Sequence, residues 1–159
     1  MSETATLPAF APRLSLIVPT GNEQKGLGNG SYGYQVNFPV SKIVGERVTI
    51  HANAGATSFV NVNGRSPKSF NVGASVVYAA AQNINFLLEA VGERNEAVDA
   101  FRRIEREKIL TVSPGARFAF NFPDAQLVLG IGAPVVLKLA EKPSYGLFLY
   151  LSYESKIFR

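Results

Sequence analysis

The 159-residue chain contains no cysteine. That excludes disulfides, thiolate metal sites and cysteine nucleophiles. One histidine, His51, is too few for a histidine-based zinc site and leaves little room for a catalytic triad. No apolar run reaches the roughly 18 residues that a transmembrane helix needs. Charge is also scarce, at 18% of residues against about 25% in an average soluble domain. The opening MSETATLPAF has neither a basic n-region nor an apolar h-region, so it does not read as a signal peptide. The expectation is a cytosolic chain or a mature form. Net charge is a mild +4 with pI near 9.5, which suits phosphate-bearing partners such as nucleic acid or lipid headgroups.

Period-two alternation of apolar and polar residues is present almost everywhere. In LTVSPGARFAFNF, residues 110–122, one face carries Leu110, Val112, Pro114, Ala116, Phe118, Phe120 and Phe122. The other carries Thr111, Ser113, Gly115, Arg117, Ala119 and Asn121. The same alternation runs through 13–19, 31–41, 47–57, 69–79, 84–92, 126–137 and 146–154, which makes eight expected strands in a single domain over residues 1–159. Residues 1–8 read as an N-terminal tail. Connections alternate long and short, and the longest and most charged covers 94–108. Within it, Ala97, Phe101 and Ile104 fit either a short amphipathic helix or a charged hairpin that continues the flanking strands. The long connections gather at one end and the short turns at the other. This is the asymmetry of an outer-membrane barrel.

Soluble barrels alternate too, so the composition of the polar face has to decide. A solvated face carries long Lys, Glu and Arg side chains. Here it is dominated by Gly, Ser, Thr, Asn, Gln and Ala, which suit the narrow interior of an eight-stranded barrel. The apolar face shows no mid-strand charge, as lipid requires. The expected architecture is therefore all-β: an eight-stranded antiparallel up-and-down transmembrane β-barrel. The alternative is a soluble lipocalin-like barrel that binds a small apolar ligand. Pro114 and Pro134 fall inside strands and predict a bulge or break in pairing at each.

Inward positions include Arg13, Gln35, His51, Glu89, Arg117 and Glu154, with Asn37, Asn53, Asn71, Asn85 and Asn121 among them. They read either as a polar network that guides a solute or as hydrogen bonds and ion pairs that satisfy buried charge. Arg13 or Arg117 with Glu89 is the expected pairing. His51 as a catalytic base would need a nucleophile such as Ser75 or Thr49, and no motif marks either, so a structural histidine is expected. No enzyme activity, metal or cofactor is expected. GNEQKGLGNG lacks the GK[ST] ending of a phosphate loop and leads into a strand. Arg65, Lys68, Arg102, Arg103 and Arg106 read either as groups that meet lipopolysaccharide phosphates or as merely solvated loop residues. Tyr32, Tyr34, Phe38, Phe70, Tyr78, Phe122 and Tyr153 near strand ends read as an interfacial girdle. Nucleic acid is not an expected partner, because the strand aromatics share a face with Val and Leu rather than with Lys and Arg.

LSLIVPTGNEQKGLGNGSYGYQVNFPVSKIVG, HANAGAT and the final block from LTVSPGARFAF to YGLFLYLSYE resemble outer-membrane proteins of the phenol-degradation meta-pathway transporter family. The resemblance covers most of the chain from about residue 8. It implies a bacterial outer-membrane location and a transport-related role for hydrophobic compounds. Members of that family are usually longer, with strands ahead of the PTG strand, so the expectation includes a C-terminal part of a larger barrel. The last strand also fits the general outer-membrane insertion signal through Ser144, Gly146, Leu149 and Leu151 with near-terminal Phe158. That signal implies the barrel-assembly machinery as a partner, although Arg159 after the phenylalanine departs from the usual terminal aromatic. The expected form is a monomer in a lipid bilayer or detergent.

Overall fold

The computed structural model describes residues 7–139 and 141–155. They form one antiparallel eleven-stranded sheet with no α-helix. The strands are β1 (Ala9–Phe10), β2 (Arg13–Ile17), β3 (Gly33–Val44), β4 (Val48–Phe59), β5 (Lys68–Ala81) and β6 (Ile84–Val98). They continue with β7 (Ile104–Asn121), β8 (Ala125–Gly132), β9 (Val135–Lys138), β10 (Ser144–Tyr145) and β11 (Phe148–Ser155). From β3 to β8 each strand pairs with the next in the chain, as in a meander; β1 and β2 both pair with β3, β9 pairs with β7 and β10, and β11 pairs with β8.

The eleven strands amount to eight collinear segments, and prolines mark the breaks. Register carries unchanged from Phe10↔Val40 to Arg13↔Asn37, so β1 and β2 form one segment against β3. It also carries from Gly115↔Gly132 to Val112↔Val135, which joins β8 and β9, and from Phe148↔Gly132 to Tyr145↔Val135, which joins β10 and β11. In an antiparallel ladder a residue's N–H and C=O point to the same neighbour. The carbonyls of Pro39, Pro114 and Pro134 accept from Ala11, Ala133 and Gly146. The donor each proline lacks therefore falls on the gap opposite it, which accounts for interrupted pairing without a slipped register. The breaks expected at Pro114 and Pro134 are present, while Pro114 stays paired with Leu88 on its other side. The one register shift lies between Ala79 and Ala81, beside a short turn.

Alternation places the side chains as the pattern predicts. Leu14, Val36, Ala56 and Phe70 are successive cross-strand partners on one face, as are Val76, Leu88 and Pro114. Phe118, Leu129 and Leu151 continue it to the far edge. This apolar face is uncovered: Leu14 is 76% exposed, Val72 63% and Leu151 67%. Among the described residues only Val62, in a loop, is a buried hydrophobic. Total accessible surface is 11702 Å². A compact monomer of this mass exposes about 7,800 Å². A single layer without a second layer or closure explains the excess.

The sheet is open. β2 and β11 are its outer members, and they do not pair with each other. Residues 94–108 form no helix. The β6–β7 ladder runs on to Val98↔Ile104, so this connection is a long paired hairpin with a tip at 99–103. The opposite ends of the strands are joined tightly, for example through Gly45, whose φ of +67° favours glycine.

Candidate functional site

The polar face is the candidate site, and strand register decides which of its residues meet. Directly opposite one another across five strands lie Ser41 (β3), His51 (β4), Ser75 (β5), Glu89 (β6) and Ser113 (β7). Ser41 Oγ and His51 Nδ1 are 2.7 Å apart. Farther toward the long loops, Arg13, Asn37, Gly55, Asn71 and Glu93 form a parallel row. Asn37 is only 5% exposed, and its Oδ1 accepts from Asn53 Nδ2 at 3.3 Å. Gln35 donates to Thr57 Oγ1 at 3.0 Å.

The expected partnership of Arg13 or Arg117 with Glu89 does not form. Arg13 faces Asn37, while Arg117 faces Asn85 and Gly130. Glu89 and Arg117 nonetheless line one cavity of about 270 Å³ with Ser113, Gly130 and Tyr150. A second cavity of about 270 Å³ lies against Ser41, His51, Asn53, Ser75 and Glu89. Glu89 thus borders both. Arg117 Nε and Asn53 Oδ1 are buried without a hydrogen-bond partner. Glu154 lies opposite Gln126 on the edge strand β11. Of the insertion-signal residues, Ser144 lies in β10, Gly146 between strands, and Leu149 and Leu151 on the exposed face of β11. Phe158 is outside the described residues.

The geometry suits hydrogen bonding more than covalent chemistry. His51 has Ser41 beside it, a residue the sequence reading did not single out although it shares His51's face. Glu89 lies two strands from His51, about 10 Å away across Ser75, too far to orient the imidazole directly. Neighbouring backbone N–H groups are engaged in the ladder, which leaves no ready oxyanion hole. Among the described residues no cluster of three metal-ligating side chains occurs.

The long hairpin holds the other charge cluster. Asp99 Oδ1 accepts from the backbone N–H of Phe101 (2.9 Å) and Arg103 (2.7 Å), and Asp99 Oδ2 meets Arg103 Nε at 2.9 Å. Glu96 holds Arg106 Nε at 3.0 Å and accepts from the Lys68 N–H at 3.2 Å. Arg103 and Arg106 are therefore committed to carboxylates. Arg65 donates to the Arg102 carbonyl at 3.0 Å and ties the neighbouring loop to the tip. Arg65, Lys68 and Arg102 have no carboxylate partner among the described residues.

Two outcomes follow from these contacts. Gly55→Ala would press Cβ against the side-chain oxygens of Asn37 and Asn71. Displacing those amides should cost about 1–3 kcal/mol in denaturant unfolding. Gly92→Ala, whose Cβ would meet Val72 at 3.7 Å, should be near neutral. Equal effects would contradict the crowding. In the hairpin, the hydrogen bond from Arg106 lowers the pKa of Glu96, and the backbone N–H of Arg103 lowers that of Asp99. A lowered folded-state pKa gives stabilisation that is present at neutral pH and lost as pH falls through it. Protection of the amides at 99–103, taken relative to intrinsic exchange, should therefore fall as acid protonates Asp99 and Glu96, while protection in β4 and β5 persists. A pH-independent tip would exclude these carboxylates as its fastening.

No family model, no curated protein and no solved structure matches the chain.

Proposed function

We propose that the chain is an integral protein of a bacterial outer membrane, structural or transport-related. Its sheet closes as an eight-stranded up-and-down barrel. The observation that carries this reading is the continuous apolar face, shared by all eight segments and left uncovered by the described residues. Burying that face in hydrocarbon would gain about 25 cal/mol for each Å² removed from water. Strands of this length cross a bilayer when tilted. Charges support the same orientation, because Glu96, Asp99, Arg103 and Arg106 crowd the end with long connections. The polar face then fills a narrow interior whose small side chains leave no wide channel.

Within this reading, Arg65 and Arg102 face lipopolysaccharide phosphates at the outer surface. The segment containing Ser144, Gly146, Leu149 and Leu151 engages the assembly machinery. The resemblance to phenol-degradation meta-pathway transporters points to hydrophobic compounds as the class of solute, carried by this chain or by a larger barrel containing it. The polar belt serves as interior hydrogen bonding, not as a catalytic centre.

Refolding from denaturant tests the proposal. In detergent or short-chain lipid the protein should give a monomer whose gel migration shifts on heating, and without them it should aggregate. Val76→Arg, on the apolar face between Phe70 and Tyr78, should cost about 2–4 kcal/mol in lipid. Ser75→Ala, its neighbour on the polar face, should cost under about 1 kcal/mol. A folded, soluble monomer without detergent would instead indicate a soluble barrel that binds an apolar ligand.

A further inference from the structure

The two free edges of the sheet carry matched features, and their relative level can be read from the register. A straight line across the ladders runs Ala11, Pro39, Asn53, Gly73, Val91, Thr111, Val136, Ser144. Ala11 on the first segment is therefore level with Ser144 on the last. The first and eighth segments of a meander run antiparallel, so their edges can form another ladder. Closure requires the strands to tilt, which displaces the partner of Ala11 along the last segment. With eight strands, a tilt of about 36° goes with a shear of about eight residues. Scaling the tangent gives about 42° at a shear of ten and about 48° at twelve, against the usual range of roughly 35–45°.

From these constraints we infer that β2 and β11 close on each other with a shear of about ten residues, so that Ser15 stands opposite Tyr150 and Arg13 opposite Ser152. In this register the whole of β2, Arg13–Ile17, falls within β11, Phe148–Ser155. A shear of about eight would run Ile17 off the end of β11 to Gly146. The faces agree: Leu14 meets Leu151 and Leu16 meets Leu149 on the apolar side, where all four are at least 67% exposed. On the polar side, Glu154 lies two residues beyond Ser152, diagonal to Arg13 and within reach of a long side chain. Neither Arg13 nor Glu154 has an ion-pair partner among the described residues. Closure brings them together as a charge pair at the seam. The inference rests on the barrel reading and names the partner of each open edge as the chain's own other edge.

Absence of native cysteine makes the test direct. Directly opposite antiparallel residues have Cα atoms about 4.5–5.5 Å apart, within disulfide range. In detergent-folded protein, Ser15→Cys with Tyr150→Cys should oxidise to an intrachain disulfide on the order of ten-fold faster than Ser15→Cys with Phe148→Cys or with Ser152→Cys. Arg13→Glu should reduce the yield of cross-linked monomer several-fold, and adding Glu154→Arg should restore it. Preferential linkage to position 148 or 152 would overturn the register. Covalent dimers as the main product would overturn self-closure in favour of a second copy at the edge. No cross-link in a heat-shifting monomer would also overturn it. If the protein folds as a soluble monomer, the membrane reading fails, yet a fast 15–150 intrachain link would still support this seam.

Discussion

One uncovered apolar face governs everything else about this protein. Eight collinear segments place Val, Leu, Ile, Phe and Ala on the same side of one layer. Among the described residues no second sheet or helix packs against that side, and only Val62 is a buried hydrophobic. A sheet stabilised only by its ladders, with both faces wet, would gain little from the hydrophobic effect that dominates folding. The face needs an apolar surrounding, and lipid is one that asks for shape and hydropathy without specific contacts. The rest of the design follows from meeting that need while keeping backbone groups paired.

Proline shows how closely the backbone is managed. Pro39, Pro114 and Pro134 would each leave a neighbour unsatisfied in a continuous ladder. Each faces a gap in the strand beside it, at Ala11–Pro12, Ala133–Pro134 and Gly146–Leu147, and register passes through the gaps unchanged. The polar face is managed by volume. Gly55 leaves space into which Asn37 and Asn71 turn, and Ser, Thr and Asn dominate the rows around His51. Charge is placed at the rim, where Asp99 and Glu96 fasten the long hairpin.

Much of this was legible in the sequence because period-two alternation maps directly onto faces. The apolar sets read from residues 31–41, 47–57, 69–79 and 110–122 all lie on one surface. Pairing between distant side chains was not legible, since it depends on register set by turn lengths. A shared face alone suggests Arg13 or Arg117 for Glu89, whereas the ladder puts Ser75 and Ser113 beside it. The Ser41–His51 contact likewise depends on register and not on face alone. Residues 94–108 are too charged to show apolar alternation, and cross-strand ion pairing there replaces apolar packing as the signal.

The most direct test of the central claim is spin-label accessibility along β5 in lipid vesicles, using single cysteines from Asn71 to Val76. Labels at 72, 74 and 76 should show high oxygen accessibility and little contact with a water-soluble relaxation agent. Labels at 71, 73 and 75 should be shielded from both. Water exposure at the odd positions, with 72, 74 and 76 shielded, would place the apolar face inside a soluble barrel and contradict the account.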